Sequence, residues 1–325
     1  MRKRWIAACV VSMLALPAVA QGADLHWQLY ADPAPGATGL DGSVEHPPQI
    51  DLGVANGTPY LAEVAFAQGG DLTVYRGVGG RAWRQLGGGP LNDPGLRAGS
   101  TDFATSGSTV WLAWDEGPGD GTSVVHVARL TGSGVQELRG SPIAGAASPQ
   151  IAYFGGRLYM AYASADGMRT VRTRANGRGF ERVGSFDSTP AFPQELDVYR
   201  GRLYLSRSES NTTLYSVLNR RANGWVQVDD PPDDLFAVRI GDTVFTLGSS
   251  GGEAPGAPVF MNVFATRRGV TTELPNPAKP GDNILGTPHL AVSNGSLWIQ
   301  WIEGGPSDMA PPFVPHVARL VRGRG

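Results

Sequence analysis

The sequence contains a single cysteine, Cys9, which lies within the first twenty residues. Residues 1–20 begin with a charged segment, Met1–Arg4, continue with a short apolar stretch, Trp5–Leu16, and end in the small residues Ala18–Ala20. This order is typical of a secretory signal peptide, and the apolar stretch is too short to span a bilayer. The sequence therefore predicts an exported protein, periplasmic or secreted, whose mature chain uses neither disulfides nor thiolate chemistry.

Long apolar runs and runs of basic residues are also missing. No segment after residue 20 is apolar enough to cross a membrane, so we expect no membrane span. The formal net charge of −2 becomes about −5 without residues 1–20, because those carry three basic residues and no acidic one. A mildly acidic chain without basic clusters binds nucleic acid poorly, and we expect no nucleic-acid partner.

Helical periodicity is absent after residue 20, whereas turn residues are abundant. The 45 glycines and 25 prolines are spread along the whole chain rather than confined to a linker. Between them lie short runs in which apolar and polar residues alternate. This combination predicts an all-β protein with many turns.

Six segments repeat one pattern, a turn followed by an aromatic residue inside a strand: NGTPYLAEV, SGSTVWLAW, GGRLYMAY, RGRLYLSR, GDTVFTLG and NGSLWIQW. Their key aromatic residues are 41 to 53 residues apart, at Tyr60, Trp111, Tyr159, Tyr204, Phe245 and Trp298. An arginine-rich strand follows in each unit, and a third strand follows it in units one to five. The pentapeptide HVARL occurs at the same place in units two and six, so we interpret its two copies as equivalent strands. Repeats of this length fit one blade of a β-propeller each.

The two ends of the chain complement each other. The sixth unit stops after HVARLVRGRG and lacks its last strand, while Leu25–Pro33 supplies a spare strand in which Trp27 resembles Trp83 of unit one. Pairing the two would remove an open sheet edge. We therefore predict one domain over residues 21–325: a six-bladed β-propeller with four-stranded blades, closed by an N-terminal outer strand that completes the last blade.

The repeat resembles those of secreted bacterial six-bladed β-propellers, which carry a G-x-L-Y-hydrophobic-A-aromatic strand and later a G-x-x-W-x-x-L-G strand. It is also similar, more loosely, to six-bladed fucose-binding lectins with repeated tryptophans and exposed arginines. The Asp-box of sialidase-type propellers, S-x-D-x-G-x-x-W, is absent from the sequence, as are WD and consistent kelch patterns. The resemblance implies the fold and transfers no functional residue, because a propeller fold does not name an activity.

Polar residues recur nine positions before the key aromatics, at Asp51, Asp102, Gln150, Glu195 and His289, with Phe236 in unit five. The next residue is apolar in every unit, at Leu52, Phe103, Ile151, Leu196, Ala237 and Leu290. Because side chains alternate along a strand, these two rings should face opposite sides, with the polar ring lining the central channel.

The predicted channel ring supports three interpretations. Asp51, Asp102, Gln150 and Glu195 offer oxygen ligands for Ca²⁺, the one cofactor that the sequence suggests. Asp51, Asp102, Glu195 and His289 are candidates for general acid–base catalysis. Six-bladed calcium-dependent lactonases and phosphotriesterases place acid and amide groups comparably, which motivates a catalytic interpretation. Alternatively, polar groups line the channel simply because water fills it.

A second set of candidates follows the key aromatics and would lie near the loop face. We predict ligand contacts from five residues there: Trp114, Tyr162, Arg207, Trp301 and Glu303. The aromatic rings offer flat faces to a sugar or a peptide. Ordinary packing between blades and a solvated rim are the alternatives for these positions.

Three functions follow from these patterns. The leading hypothesis is an exported, monomeric binding or scaffold propeller that recognises a protein or glycan ligand through its loop face and is not an enzyme. The blade loops differ from one another, which favours one composite site over six equal ones. The alternative is a calcium-assisted hydrolase or lyase with its active site in the axial channel. A purely structural envelope protein is the third possibility.

Overall fold

A computed structural model of the chain describes residues 25–31, 49–65, 69–118, 122–174, 178–187, 191–209, 212–235, 237–250, 260–278, 283–304 and 313–322. The signal-peptide prediction for residues 1–20 lies outside the described residues. The described residues contain no helix that is both long and apolar enough to traverse a bilayer. All of their regular secondary structure is β-strand, in agreement with the all-β prediction.

The described residues form twenty-five strands in six antiparallel sheets, which are the blades of the propeller. Blade one is built from β2 (Gln49–Ala55), β3 (Thr58–Ala65), β4 (Asp71–Val78) and β5 (Ala82–Leu86). Blade two is built from β6 (Arg97–Ser106), β7 (Thr109–Gly117), β8 (Val124–Leu130), β9 (Val135–Glu137) and β10 (Ile143–Ala144). Blade three is built from β11 (Ala146–Phe154), β12 (Arg157–Ser164), β13 (Gly167–Thr173) and β14 (Phe180–Phe186). In blade two, the short strands β9 and β10 both pair with β8 and share the outer position.

Blades four to six complete the ring. They are built from β15 (Ala191–Tyr199), β16 (Arg202–Glu209), β17 (Thr212–Leu218), β18 (Trp225–Val228); β19 (Val238–Ile240), β20 (Thr243–Ser250), β21 (Phe260–Arg267), β22 (Val270–Glu273); and β23 (Asn283–Ser293), β24 (Ser296–Gly304), β25 (Val314–Arg322) with β1 (Leu25–Leu29). The predicted count of six four-stranded blades is confirmed. The key aromatics all lie on the second strand of their blade.

Tight turns join the first and second strands of the blades. In blade one the turn residues Asn56 and Gly57 have φ of 50° and 74°, and in blade six Asn294 and Gly295 have φ of 51° and 68°. Two consecutive left-handed residues define the hairpin turn that matches strand twist, and Asn-Gly is its preferred sequence. The sequence thus sets where each inner hairpin reverses.

The N-terminal strand closes the ring as predicted. β1 pairs antiparallel with β25, and Trp27 lies opposite Leu320 while Gln28 lies opposite Arg319. The second HVARL copy is therefore the third strand of blade six, just as the first copy lies in β8 of blade two. The two pentapeptides are equivalent strands, which confirms the interpretation from the repeat.

The hydrophobic core is divided among the spaces between neighbouring blades. One cluster joins blades one and two through Val64, Leu72 and Leu112, and another joins blades six and one through Leu61 and Trp298. The apolar ring predicted one residue after the polar ring faces these spaces, with Leu52, Ile151, Leu196 and Leu290 each at most 6% exposed. Each fully buried leucine contributes about 1.5–3 kcal/mol of hydrophobic stabilisation. Apolar side chains thus pack between neighbouring blades, and the polar ring faces the central channel.

Tyr30 follows β1 and wedges into the space between blades six and one. Its ring lies 5.2 Å from the ring of Trp83 and 5.8 Å from that of Trp298, and its hydroxyl accepts a hydrogen bond from the Gly80 backbone N–H at 3.1 Å. A Cβ atom added at Gly77 would stand 2.5 Å from the Tyr30 hydroxyl oxygen. Glycine is therefore required at position 77 by the close approach of Tyr30.

We expect Gly77→Ala to destabilise the protein by about 2 kcal/mol, because the added methyl group overpacks the Tyr30 site. In a Tyr30→Ala background the same substitution should cost less than about 0.5 kcal/mol, since the obstructing ring is gone. A double-mutant cycle by urea unfolding measures this coupling. If Gly77→Ala lowered the free energy of unfolding equally in both backgrounds, Tyr30 would not be the group that the added methyl meets between blades six and one.

Candidate functional site

The predicted polar ring lies at one level of the innermost strands. Each of its described members faces, in register, the second-strand residue two positions after a key aromatic: Asp51 opposite Ala62, Asp102 opposite Ala113, Gln150 opposite Ala161, Glu195 opposite Ser206 and His289 opposite Gln300. Phe236, the apolar break in the predicted ring, lies outside the described residues. The register brings five polar side chains to equivalent positions around the axis.

Irregular pairing precedes the polar level in four blades. The register between first and second strands shifts between Ala98 and Thr101, Ala147 and Gln150, Pro193 and Glu195, and Leu285 and His289. Such bulges bend a strand and redirect the side chain that follows. Blade one, which carries Asp51, keeps regular pairing throughout β2.

Asp51 and His289 form the central contact of the axial site. The imidazole Nδ1 of His289 lies 3.1 Å from Oδ1 of Asp51, across the boundary between blades six and one. The same carboxylate oxygen accepts a hydrogen bond from the Leu52 backbone N–H at 2.8 Å. Asp51 is 9% exposed, whereas the His289 side chain is 51% exposed to the channel. The pair thus has one anchored member and one open to solvent.

Asp102 links blade two to blade three. Its Oδ2 accepts a hydrogen bond of 2.6 Å from the backbone N–H of Ile151. Burial and the negative charge of Asp51 raise the pKa of Asp102 well above its ordinary value, and the Ile151 hydrogen bond only partly offsets this rise. Asp102 is consequently a carboxyl group that retains its proton to unusually high pH.

Glu195 has a pKa near neutrality. Burial and the neighbouring Asp197 raise its pKa to about 7, while His289 acts in the opposite direction. Asp197, two residues further along β15, also has a raised pKa because of burial, although its Oδ1 accepts a hydrogen bond from Val198 N–H at 2.6 Å. The sequence prediction missed Asp197. Strand alternation alone places it on the same face as Glu195 and could have found it.

The surrounding carboxyl groups favour the charged form of His289 and so raise its pKa. Burial lowers its pKa, but the hydrogen bond and charge of Asp51, with the charges of Asp102 and Glu195, outweigh that effect and raise the pKa above its ordinary value. The channel therefore holds groups that donate and groups that accept protons near neutral pH, which is the requirement for acid–base work.

Two of the predicted calcium ligands, Asp51 and Asp102, each accept a hydrogen bond from a backbone N–H of the protein. Asp51 Oδ1 and Asp102 Oδ2 accept the hydrogen bonds described above, and the Gln150 amide donates to the Pro149 carbonyl at 3.0 Å. Within the described part of the chain, no group of three or more histidine, aspartate or glutamate side chains is arranged to hold a metal ion. The calcium site stays a prediction from the sequence, and calcium has no part in the function proposed below.

The loop-face candidates Trp114 and Trp301 are buried, at 4% and 2% exposure. Trp114 stacks on His126 with ring centroids 4.8 Å apart, and Trp301 stacks on His316 at 5.0 Å. Glu303, another predicted ligand contact, lies 3.1 Å from the His316 imidazole. Each tryptophan thus stacks on a histidine of its own blade, whereas the alternative expected from the sequence was packing between blades. The sequence prediction did not pair these residues, although each histidine opens an HVARL segment on the strand that follows its tryptophan.

Arg207 and Tyr162 lie in different inter-blade spaces. Arg207 is 5% exposed, its guanidinium lies 4.2 Å from the ring centroid of Phe186, and it donates a 2.9 Å hydrogen bond to Ser216 Oγ. Tyr162 is half-buried and lines an open cleft beside blade two. The five predicted loop-face residues occupy four blades, with Trp301 and Glu303 together on β24 of blade six.

Glu63 is a buried carboxyl group that lies outside the predicted ring. It is 3% exposed on β3, and its Oε1 has no hydrogen-bond partner among the described residues. Burial raises its pKa to about 7. The negative charge of Glu63 in turn contributes, after burial, to raising the pKa of Tyr75 to about 12. Glu63 is thus a buried carboxyl group, in the space between blades six and one, with one oxygen that lacks a hydrogen-bond partner in the part of the chain that the structure describes.

Comparison with known proteins identifies the fold. The structure resembles a sialidase from Trypanosoma rangeli in complex with the inhibitor DANA, with a TM-score of 0.55 and 10% identity over 84% of this chain and 55% of that chain. It also resembles the Hadza microbial sialidase Hz136, with a TM-score of 0.53 and 12% identity over 83% of this chain and 64% of that chain.

The resemblance to six-bladed propellers is confirmed at the level of the fold. This chain spans less than two thirds of the length of both sialidases. No protein-family model matches the sequence, and a comparison with curated proteins finds no match. The similarity therefore supports the fold of this chain. The residues of the site have to be interpreted from their own geometry.

The raised pKa of Glu63 predicts that Glu63→Gln stabilises the protein increasingly as the pH rises. The unfolded chain loses this proton near its ordinary pKa of 4.5, and the folded chain retains it to about 7. The protonated Glu63 therefore costs the folded wild type nothing at low pH. As the pH rises from 4.5 to about 7, the free energy of unfolding of the wild type falls, because the unfolded chain releases this proton first. From pH 4 to pH 8 the advantage of the glutamine variant should grow by up to about 3 kcal/mol, measured by urea unfolding.

Glu181 provides a control of opposite sign. Its pKa is lowered, chiefly by a hydrogen bond from Arg172. Glu181→Gln should therefore lose stability at neutral pH relative to acid pH. An advantage of Glu63→Gln that does not change with pH would contradict the assignment of a buried, unpaired carboxyl group.

Proposed function

We propose that this protein is an exported carbohydrate-binding β-propeller whose ligand is held at the polar level of the axial channel. The observation that carries the proposal is the convergence of Asp51, Asp102, Gln150, Glu195 and His289 at one register level, with the imidazole half open to solvent. The predicted aromatic contacts of the loop face are mostly buried, so the axial site is the better candidate.

The chemistry of the axial level suits a ligand rich in hydroxyl groups. Carboxylates accept hydrogen bonds, His289 donates them, and the Gln150 amide does both. Asp51 Oδ2 is buried and has no donor among the described residues, so the half-exposed imidazole of His289 is the group of this pair that a ligand hydroxyl can reach. A few precisely placed polar groups in a concave site are typical of small-molecule recognition.

The solved neighbours support a carbohydrate over a protein ligand. Both of the structures described above are sialidases, and each superimposes on more than four fifths of this chain. Their low identity means that they support the class of ligand and not a particular sugar. Recognition of a protein by the loop face, the other part of the sequence-based hypothesis, has less support because its candidate residues are dispersed.

Cleavage of the bound saccharide is a second candidate function, favoured by the electrostatics of the channel. Glu195 has a pKa of about 7, and His289 has a pKa above its ordinary value beside Asp51. A hydrolase or a lyase needs one group that donates a proton and one that accepts it. In such a reaction Glu195 and His289 would serve as the acid–base pair, and Asp51 would orient the imidazole.

A glycan array followed by calorimetry tests both candidates. We expect at least one array ligand, and we expect Glu195→Gln or His289→Gln to weaken its binding about tenfold or more, because each removes a hydrogen bond to a charged group. If the protein is an enzyme, wild type should also release reducing ends or unsaturated products from that ligand. Glu195→Gln should then abolish release while retaining measurable binding.

Asp242→Asn is the matched control, since it neutralises a half-exposed carboxylate in the turn between β19 and β20. It should leave both affinity and turnover unchanged. Array binding that survives Glu195→Gln and His289→Gln at full strength would place the ligand elsewhere and refute the axial site.

A further inference from the structure

A cleft of about 390 Å³ lies between blades two and three, apart from the axial channel. One wall is β10 with Ala144, and the other is formed by Tyr162 on β12, Arg169 on β13 and Arg182 on β14. The turn between β12 and β13, which contains Asp166, borders it. Its volume falls in the range of ordinary small-molecule sites. The cleft therefore combines an aromatic ring with two guanidinium groups.

The two arginines differ in their partners. Arg169 lies 3.0 Å from Asp187 and 3.8 Å from Asp166, whose side chains are 77% and 88% exposed. Arg182 is exposed and forms no ion pair with any carboxylate in the described part of the chain. Exposed ion pairs contribute little to stability, so Asp166 can yield its position to a stronger anion. The cleft thus holds one uncompensated positive charge and one that is weakly compensated.

Both guanidinium groups are close enough to the Tyr162 phenol to affect its pKa. Burial raises the pKa of the Tyr162 phenol, while the positive charges of Arg169 and Arg182 oppose that rise. Tyr162 pairs with Arg169 in register, and Arg182 lies opposite Val171 on the next strand. The three side chains therefore belong to three adjacent strands of one blade. A rigid sheet presents them together, which favours a preformed site.

We propose that this cleft binds the carboxylate of an acidic saccharide, through Arg169 and Arg182, with the sugar lying against Tyr162. The inference rests on the proposed carbohydrate function and extends it to a charged sugar residue. Guanidinium groups bind carboxylates through paired, charge-assisted hydrogen bonds. Tyrosine offers an apolar face together with a hydroxyl that can meet a sugar hydroxyl. A neutral sugar would leave the guanidinium group of Arg182 without an anionic partner.

Calorimetry with matched trisaccharides tests the proposal. The probes are tri-galacturonate, tri-glucuronate and their methyl esters, which differ only in the carboxylate charge. We expect at least one free acid to bind about tenfold more tightly than its ester, and Arg182→Gln to remove that difference by weakening the acid alone. Asp166→Asn should tighten binding of the acid about twofold, because it removes a competing carboxylate.

Arg84→Gln is the matched control, since Arg84 is an exposed arginine on β5, the outer strand of blade one. It should change neither affinity, and thermal unfolding of all three variants should match wild type. Equal affinity for acid and ester, no binding of either acid, or an unchanged acid affinity in Arg182→Gln would each overturn the proposal. Equally tight binding of a penta-aspartate peptide, lost in Arg182→Gln, would identify an acidic peptide as the ligand instead.

The outcome is separable from the test of the axial site. If the esters bind and their binding depends on Glu195 and His289, the proposed carbohydrate function stands even where the cleft inference fails. If array ligands bind without regard to Glu195 and His289, the axial proposal fails, and the acid–ester difference still reports on the cleft alone.

Discussion

The pairing of β1 with β25 is the contact on which the architecture depends, because it joins the two ends of the chain within one sheet. Without it, blade six would expose an unpaired strand edge, and the cluster between blades six and one would lose Tyr30. Trp27 further anchors the strand through a 2.6 Å hydrogen bond from its indole N–H to the Pro275 carbonyl. A closed ring removes free edges and fixes the inner strands around a common axis.

Closure also creates the electrostatic environment of the channel. Asp51 in blade one meets His289 in blade six, so the central contact of the site crosses the same boundary that β1 seals. Asp102 is destabilised as an anion by burial and by Asp51, and the positive charge of His289 partly compensates. Burial and neighbouring carboxylates raise the pKa of Asp102 and of Glu195, and the same carboxylates raise the pKa of His289. Perturbed pKa values of this kind are characteristic of functional sites and also of structural ion networks.

Equivalent positions in the blades have different uses. Trp114 with His126 in blade two and Trp301 with His316 in blade six form the same stacked pair, and each histidine lies beside a glutamate, Glu116 or Glu303. In blade three the equivalent of the tryptophans is Tyr162, which stands opposite Arg169 in place of a histidine and lines the cleft. Blade three thus has a cleft at the place where blades two and six have a tryptophan stacked on a histidine.

The number of blades, the order of strands and the closing strand follow from the sequence, because turns and aromatics at intervals of 41 to 53 residues record each unit locally. The same spacing placed Asp51, Asp102, Gln150, Glu195 and His289 at one level, since strand alternation is a local rule. It could not decide which of Trp114, Tyr162 and Trp301 is open, nor foresee the contacts of Arg207 or the isolation of Glu63. Those depend on which side chains of a neighbouring strand or blade fill each gap, and the pattern along one strand does not record them, so only the tertiary structure determines them.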